Sequence, residues 1–251
     1  MTAIYERPKS LLPQASRFCP GCNHATVTRL VAEVIDELGI EERTVNVIAI
    51  GCAGLHPEVL NVDVYPALHG RAQAVATGIK RVRPDTIVYA YQGDGDLASI
   101  GLCETMHTAN RGENITTIFI NNAIYGMTGG QMAPTTLAGQ KSTTSPYGRD
   151  VTKAGYPIKM CEIISQLEAP QYVARFAVNN VANIRKCKAG IKKAFRLQME
   201  GKGYSFVEIL SACPTGLSTT PQKAVEFVER EMMQVFPLGV FKEPKEGSGD
   251  E

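Results

Sequence analysis

Two polar turns, each at the end of an apolar run, constrain this chain more than any other feature. The run Tyr89–Gln92 leads into Gly93-Asp94-Gly95-Asp96, and the run Ile118–Ile120 leads into Asn121-Asn122. Short apolar runs bounded by such turns are typical of buried strands in a parallel sheet, whose carboxyl ends share one crevice. Because helical patterns separate these runs, the sequence predicts an α/β fold with three α/β/α layers and a mainly parallel sheet.

The residue types in these two turns suit a metal-bound diphosphate. Gly93 and Gly95 let the backbone turn sharply and approach a phosphate, and the N-terminus of the following helix offers unpaired N–H groups. Asp94 is a hard oxygen ligand of the kind that magnesium prefers, and Asn122 and the carbonyl of Ile124 could add two more oxygens. The alternative is a pair of ordinary turns between strand and helix, because turns favour these residues.

The spacing of this paired motif resembles the thiamine diphosphate motif. That resemblance implies that Asp94, Asn122 and the carbonyl of Ile124 hold the magnesium ion of the cofactor.

Hydrophobic periodicity predicts the other elements. The predicted strands are Val45–Ile50, Thr86–Gln92, Ile115–Asn121, Tyr172–Val178 and Tyr204–Leu210. The predicted helices are Ala25–Leu38, Leu97–Arg111, Pro157–Leu167 and 221–236. Two further helices are predicted, one that opens at His69 and one that carries an apolar stripe from Ile184 to Met199. Residues 125–148 lack both patterns, and we expect them to form a loop that covers the cofactor and lines the substrate pocket. We predict an arm over residues 1–18, one domain over 19–240 and a mobile tail over 241–251.

Seven cysteines make the second chemical signal. Four fall in predicted turns: Cys19, Cys22, Cys52 and Cys213. Three fall inside predicted helices, where a small buried thiol is the expected role: Cys103, Cys161 and Cys187. The Cys19-x-x-Cys22 spacing alone is compatible with half a zinc site, a redox dithiol or part of an iron–sulfur site. Structural zinc usually takes two close pairs, so one pair with two distant single cysteines favours a 4Fe–4S cluster.

The combination of both signals resembles the β subunit of 2-oxoacid:ferredoxin oxidoreductases, from about residue 15 to 240. The resemblance implies the thiamine diphosphate-binding fold of the diphosphate-binding domain, with thiamine diphosphate, Mg²⁺ and a 4Fe–4S cluster as cofactors. It implies Cys19, Cys22, Cys52 and Cys213 as cluster ligands. The residues expected to bind or line the cofactor are His24, Gly51, Cys52, His69, Gly93, Asp94, Gly95, Asp96, Asn122, Ile124, Gly126 and Met127.

The resemblance also implies an activity and partners. The expected reaction is the coenzyme A-dependent oxidative decarboxylation of a 2-oxoacid to acyl-CoA and CO2, with ferredoxin as electron acceptor. No glutamate here fits the role of activating the aminopyrimidine, so that residue is expected from a pyrimidine-binding α subunit. Further γ and ferredoxin-like δ subunits are expected.

Four segments resemble the 2-oxoisovalerate and 2-oxoglutarate groups of the family: His69–Ala72, Ala76–Lys80, Tyr125–Thr136 and Ser145–Asp150. Some members carry a basic residue three positions after the cysteine that corresponds to Cys52, near the substrate. Here that position is Leu55. The difference favours a branched-chain 2-oxoacid such as 2-oxoisovalerate over 2-oxoglutarate.

Composition and charge exclude other classes. The net charge is +1, so no strong field attracts nucleic acid or an anionic membrane. No apolar run approaches the roughly 20 residues that span a bilayer, and the first residues lack the apolar core of a signal peptide. We therefore expect a cytoplasmic location.

Two rival functions belong to other classes. One is a non-redox thiamine diphosphate-dependent decarboxylase or transferase subunit with a structural zinc site. The other is a non-catalytic electron-transfer or metal-binding subunit, in which the Gly-Asp-Gly turn is merely structural.

Overall fold

A seven-stranded sheet forms the centre of the fold in the computed structural model, which describes residues 6–244. The strands are β1 (Thr44–Ile48), β2 (Asp63–Pro66), β3 (Ile87–Gly93), β4 (Thr116–Asn121), β5 (Tyr172–Ala177), β6 (Ser205–Leu210) and β7 (Gly239–Lys242). Their order in the sheet is β2-β1-β3-β4-β6-β5-β7. All neighbours are parallel except β5 and β7, which are antiparallel. The predicted mainly parallel sheet is confirmed.

Helices cover both faces of this sheet. They are α1 (Asn23–Leu38), α2 (Ala72–Val82), α3 (Leu102–Asn110), α4 (Val151–Ala154), α5 (Met160–Ser165), α6 (Val181–Met199), α7 (Pro221–Phe227) and α8 (Met233–Val235). Successive residues of a strand point to opposite faces. Tyr89 and Tyr91 of β3 pack in the core with α1 and α6, whereas Val88 and Ala90 pack in the core with α2, α3 and α5. The chain therefore has the three α/β/α layers that the sequence predicts.

Several boundaries differ from the predicted ones. The predicted helix Pro157–Leu167 is only Met160–Ser165, and the predicted helix Leu97–Arg111 consists of a π-helical turn over Asp96–Ile100 followed by α3. A 3-10 helix over Cys52–Val59 was not predicted. The break before α3 lies at Gly101, whose backbone packs against that of Gly70. A Cβ on Gly101 would lie 2.6 Å from the carbonyl oxygen of Gly70. This close approach of two backbones is a tertiary effect that periodicity does not register.

One of the three helical cysteines is not buried. Cys161 and Cys187 are buried as predicted, but Cys103 is exposed. The prediction for Cys103 is wrong because it lies on the solvent side of α3, whose buried residues are Thr105, Thr108 and Ala109.

The described part of the arm lies on the domain. Ser10 is buried, and its backbone N–H donates to Asp36 of α1 at 3.0 Å. Leu11 pairs with Leu60 in an isolated antiparallel bridge. At the other end, β7 extends the folded domain to Lys242, beyond the predicted boundary at 240. Residues 1–5 and 245–251 of the predicted arm and tail lie outside the described residues.

Candidate cofactor and metal centre

The carboxyl ends of β3 and β4 meet at one cavity of about 120 Å³. These strands are direct neighbours, with Gly93 opposite Ile120, so the two polar turns that follow them are brought together. The cavity is lined by all twelve residues that the sequence assigns to the cofactor: His24, Gly51, Cys52, His69, Gly93, Asp94, Gly95, Asp96, Asn122, Ile124, Gly126 and Met127.

Asp94 supplies a buried carboxylate to this cavity. It is 2% exposed, and its oxygens accept hydrogen bonds from the Gly95 N–H at 2.8 Å and the Thr135 hydroxyl at 2.6 Å. Burial raises the pKa of Asp94 to about 6, although these hydrogen bonds oppose the rise. Over residues 6–244, no Lys, Arg or His lies within ion-pair distance of Asp94. A divalent cation held by oxygen ligands would fit this carboxylate, because it would stabilise the ionised form that burial disfavours.

The turn after β4 adopts a strained conformation that side chains stabilise. Ala123 has φ of 60°, in the left-handed region that costs a residue with a Cβ roughly 1–2 kcal/mol. Its N–H donates to Asn121 Oδ1 at 3.2 Å, and its carbonyl accepts from Thr136 at 2.7 Å and Gln140 at 3.0 Å. These bonds fix the backbone between Asn122 and Ile124, so both residues line the same cavity as Asp94.

Two glycines of the cavity are closely packed, and one of them, Gly95, has no room for a side chain. A Cβ added at Gly95 would overlap the ring of Tyr125, whose hydroxyl donates to the Gly95 carbonyl at 3.0 Å. A Cβ at Gly126 would lie 3.3 Å from the Cys213 sulfur and 3.6 Å from the Cys52 sulfur. The backbone is therefore closely packed around the cavity, as a diphosphate cradle requires.

His69 is oriented by a carboxylate rather than by backbone alone. Its Nδ1 is hydrogen-bonded to Asp96, which also accepts from the Gly70 N–H at 2.7 Å and from Gln92. Burial raises the pKa of Asp96, and these partners oppose the rise. Because Nδ1 is engaged with Asp96, Nε2 is the nitrogen left for a polar contact in the cavity that His69 lines.

The four turn cysteines converge on a second cavity, of about 220 Å³. Its lining includes Cys19, Cys22, Cys52 and Cys213, together with Leu55 and His24. Burial raises the pKa of Cys22 to about 12 and that of Cys52 to about 11, and neighbouring thiols contribute to both shifts. These two thiols are therefore protonated near neutral pH, and binding of a metal centre would release their protons.

Within residues 6–244, no three His, Cys, Asp or Glu side chains are arranged to hold a single metal ion. The four thiols line one cavity, and a 4Fe–4S cluster takes four thiolate ligands. A polynuclear cluster distributes its four ligands over a larger volume, and this donor set fits such a cluster.

His24 stands between the two cavities and lines both of them. It is 1% exposed, its ring stacks on Phe18 with centroids 5.1 Å apart, and its Nδ1 lies 2.8 Å from the Tyr91 hydroxyl. Burial lowers the pKa of His24 to about 4, so the imidazole is neutral at physiological pH.

Sequence reasoning missed the residues that hold the long loop in place. Thr135 contacts Asp94, and Arg149 is 6% exposed and donates to six carbonyl groups, three in the loop and three in the segment that follows it. The acceptors are Ala133, Pro134, Thr136, Ala154, Gly155 and Tyr156, at 2.7–3.2 Å. The one available signal was an arginine in a segment otherwise rich in Gly, Thr and Pro. The loop contributes Tyr125–Thr128 to the wall of the first cavity.

We expect Arg149→Met to lower the free energy of unfolding by at least about 3 kcal/mol, because several buried carbonyls lose their donor at roughly 1–3 kcal/mol each. At about 2–4 °C per kcal/mol for a domain of this size, the melting temperature should fall by roughly 6–12 °C. Thermal unfolding followed by circular dichroism measures this. Arg185→Met, on the exposed surface of α6, is the control and should leave the melting temperature within about 2 °C. Equal melting temperatures for both variants would contradict the role given to Arg149.

Comparison with known proteins identifies the family. Residues 49–209 match the family described as "Thiamine pyrophosphate enzyme, C-terminal TPP binding domain", thiamine pyrophosphate being another name for thiamine diphosphate. The chain is 38% identical over 225 residues to the 2-oxoglutarate synthase subunit KorB of Methanocaldococcus jannaschii. The aligned region covers 87% of this chain and 78% of that protein. It superimposes with a TM-score of 0.76 on a 2-oxoglutarate:ferredoxin oxidoreductase from Magnetococcus marinus with 2-oxoglutarate, coenzyme A and succinyl-CoA bound, at 28% identity, covering 97% of this chain and 87% of that one.

This chain belongs to the 2-oxoacid:ferredoxin oxidoreductase family. The family match also confirms the predicted thiamine diphosphate-binding fold. Another family member, the ketoisovalerate oxidoreductase subunit VorA of Methanothermobacter thermautotrophicus, is 46% identical over 240 residues, which is 96% of this chain and 50% of that protein. This chain thus spans about half the length of that relative. Over residues 6–244, no helix is both long and apolar enough to cross a membrane.

Proposed function

We propose that this chain is the thiamine diphosphate-binding β subunit of a 2-oxoacid:ferredoxin oxidoreductase. In the proposed reaction, a 2-oxoacid, coenzyme A and two oxidised ferredoxins give acyl-CoA, CO2, a proton and two reduced ferredoxins. The observation that carries this proposal is the contact between the two cavities. They share five lining residues: His24, Cys52, Asn122, Gly126 and Met127.

Each residue set has a proposed role. Asp94, Asn122 and the carbonyl of Ile124 hold Mg²⁺ on the diphosphate, and the four turn cysteines hold a 4Fe–4S cluster. When bound, thiamine diphosphate supplies the carbanion chemistry that releases CO2, and the cluster accepts the electrons one at a time. The protein contributes a closely packed backbone at Gly95 and Gly126, a neutral His24 between the sites, and His69 held by Asp96.

A cluster is favoured over the rival structural zinc because the thiols come from one close pair and two distant single cysteines, and all four line one cavity. The non-redox thiamine enzyme remains the alternative to test. All seven cysteines are free in the described structure, which supports a reducing, cytoplasmic location.

We propose a pyrimidine-binding partner because the cofactor cavity contains two aspartates but no glutamate. Among the described residues that line the cavity there is no glutamate. Two apolar residues that line it are exposed, Ile50 at 51% and Met127 at 49%. Such exposed apolar groups at a site mark a protein interface. We propose that an α subunit covers this face and supplies the activating glutamate, with γ and ferredoxin-like δ subunits completing the enzyme.

A branched-chain 2-oxoacid such as 2-oxoisovalerate is the proposed substrate, with 2-oxoglutarate as the second candidate. Leu55 lines the cavity of the four thiols and offers no positive charge to a second carboxylate. The similarity to a ketoisovalerate oxidoreductase subunit, at 46% identity, supports the same choice.

The test is to express this chain alone and with the chains that co-purify with it, under anaerobic conditions. We expect the complex to reduce viologen dye with 2-oxoisovalerate and coenzyme A, at a kcat/KM at least tenfold above that with 2-oxoglutarate. The chain alone should show no oxoacid-dependent reduction, because the activating glutamate is missing. Reduction by the isolated chain would refute the need for the partner, and a preference for 2-oxoglutarate would move the substrate to the second candidate.

A further inference from the structure

A buried ion pair lies beneath the turn that follows β4. Arg175 of β5 and Glu208 of β6 are both 0% exposed and face each other across neighbouring strands, with Arg175 Nε 2.8 Å from Glu208 Oε2. That contact is electrostatic rather than an aligned hydrogen bond. Arg175 also binds Glu162 of α5, which is 33% exposed. Burying two full charges is costly, so a contribution to stability alone does not explain this ion pair.

The other carboxylate oxygen of Glu208 contacts the turn that carries the proposed metal ligands. Oε1 accepts a hydrogen bond from Asn121 Nδ2 at 2.8 Å, and Asn121 Oδ1 accepts from the Ala123 N–H at 3.2 Å. An ionised carboxylate can only accept hydrogen bonds, so Glu208 determines which end of the Asn121 amide faces it. The oxygen of Asn121 is thereby directed at Ala123, the residue in the left-handed conformation.

We propose that Glu208 is a positioning residue for the metal site, acting through Asn121 on the turn that carries Asn122 and Ile124. This inference rests on the proposed function, in which those two residues and Asp94 hold magnesium. Arg175 places a positive charge 2.8 Å from the other oxygen of the Glu208 carboxylate. A chain of contacts thus runs from the buried ion pair through Asn121 to Ala123, the residue between the two proposed metal ligands.

A glutamine at position 208 would remove that directional control. Its amide can present either an oxygen or an NH2 group to Asn121. In the second case the Asn121 amide turns over and places its own NH2 group against the Ala123 N–H, where two donors face each other. The turn would lose one of the three hydrogen bonds that stabilise its left-handed residue, with almost no change in side-chain volume.

The choice of cation separates positioning from general stability. Mg²⁺ demands near-ideal octahedral geometry, whereas Ca²⁺ accepts flexible coordination by oxygen ligands. A loosened turn should therefore weaken Mg²⁺ more than Ca²⁺. A variant that is merely less stable should weaken both cations by the same factor.

The experiment uses the co-purified complex, stripped of metal and cofactor with a chelator. The measured quantities are the Mg²⁺ and Ca²⁺ concentrations that half-saturate thiamine diphosphate binding, followed calorimetrically. For Glu208→Gln we expect the half-saturating Mg²⁺ concentration to rise at least tenfold, in the range found for outer-shell substitutions, and the Ca²⁺ value to rise by less than threefold. Asn121→Ala interrupts the same chain from the other side and should give the same change in the Mg²⁺/Ca²⁺ ratio.

Glu162→Gln is the matched control, because it removes a carboxylate from the same arginine without touching Asn121. It should lower the melting temperature but leave the Mg²⁺/Ca²⁺ ratio unchanged. An unchanged ratio in both Glu208→Gln and Asn121→Ala would overturn the inference while leaving the proposed function intact. Failure of the wild-type complex to bind thiamine diphosphate with Mg²⁺ would instead refute the proposed function itself.

Discussion

Asp94→Asn is expected to abolish magnesium-dependent binding of thiamine diphosphate. The substitution conserves shape and can still accept the Gly95 N–H, but it removes the only carboxylate among the proposed magnesium ligands. We expect the cofactor dissociation constant at millimolar Mg²⁺ to rise by more than 100-fold, which is a loss of at least about 2.7 kcal/mol. The measurement is a calorimetric titration of the stripped complex with thiamine diphosphate.

The same substitution should not destabilise the protein without its cofactor. Burial shifts the pKa of Asp94 from 3.8 to about 6, so the ionised carboxyl disfavours the metal-free fold above that pH. A neutral amide avoids this penalty, and the metal-free variant should be more stable than wild type at pH 8 by up to about 3 kcal/mol. Higher stability together with lost binding would separate a ligand from a structural residue. Asp85→Asn, at an exposed position, is the control and should change neither quantity.

An unchanged cofactor affinity in Asp94→Asn would refute the central assignment of this site. The two polar turns would then be ordinary connections between strand and helix, as in the rival structural interpretation.

Cys213→Ala is expected to remove the iron–sulfur cluster from this chain. Cys213 lies after β6, and a Cβ on Gly126 would lie 3.3 Å from its sulfur, so the backbone leaves little space for a substitute ligand to enter. Wild type should carry about four irons and four sulfides attributable to this chain. The variant should carry fewer than about one of each and lose its visible absorbance. Iron and sulfide analysis after anaerobic purification measures this, with clusters on partner chains subtracted.

Cys103→Ala is the control for this measurement. Cys103 is exposed on α3 and lies outside the cavity of the four thiols, so its loss should leave the iron content unchanged. Zinc without iron in the wild-type chain would replace the redox function with non-redox thiamine chemistry. Retention of four irons in Cys213→Ala would assign Cys213 a structural role.

Much of the fold and of the candidate site could be predicted because both depend on strand ends. A buried strand is visible as an apolar run, and parallel strands present their carboxyl ends at one edge, so Asp94, Asn122, Cys52 and Cys213 are all placed by that rule. The other proposed cofactor residues line the same cavity, and His24 reaches it from the start of α1.

The contacts that fix the geometry were outside the reach of sequence patterns. Thr135 reaches Asp94 across 41 positions, and Glu208 reaches Asn121 across 87. Such partners do not recur at a regular spacing along the chain. The sequence alone also gives no reason to place Arg149 and Arg175 in the interior rather than on the surface. The exposure of Cys103 was missed for a related reason. A helical pattern alone does not show which residues of the helix pack against the sheet.

The wall shared by the two cavities makes their occupants thermodynamically linked. Because Asn122 and Gly126 line both cavities, any shift of this backbone that favours one occupant alters the free energy of binding the other. Linkage is reciprocal for binding equilibria. With the proposed occupants, the factor by which an empty thiol cavity changes the affinity for the cofactor must therefore equal the factor by which an absent cofactor changes the affinity for the cluster.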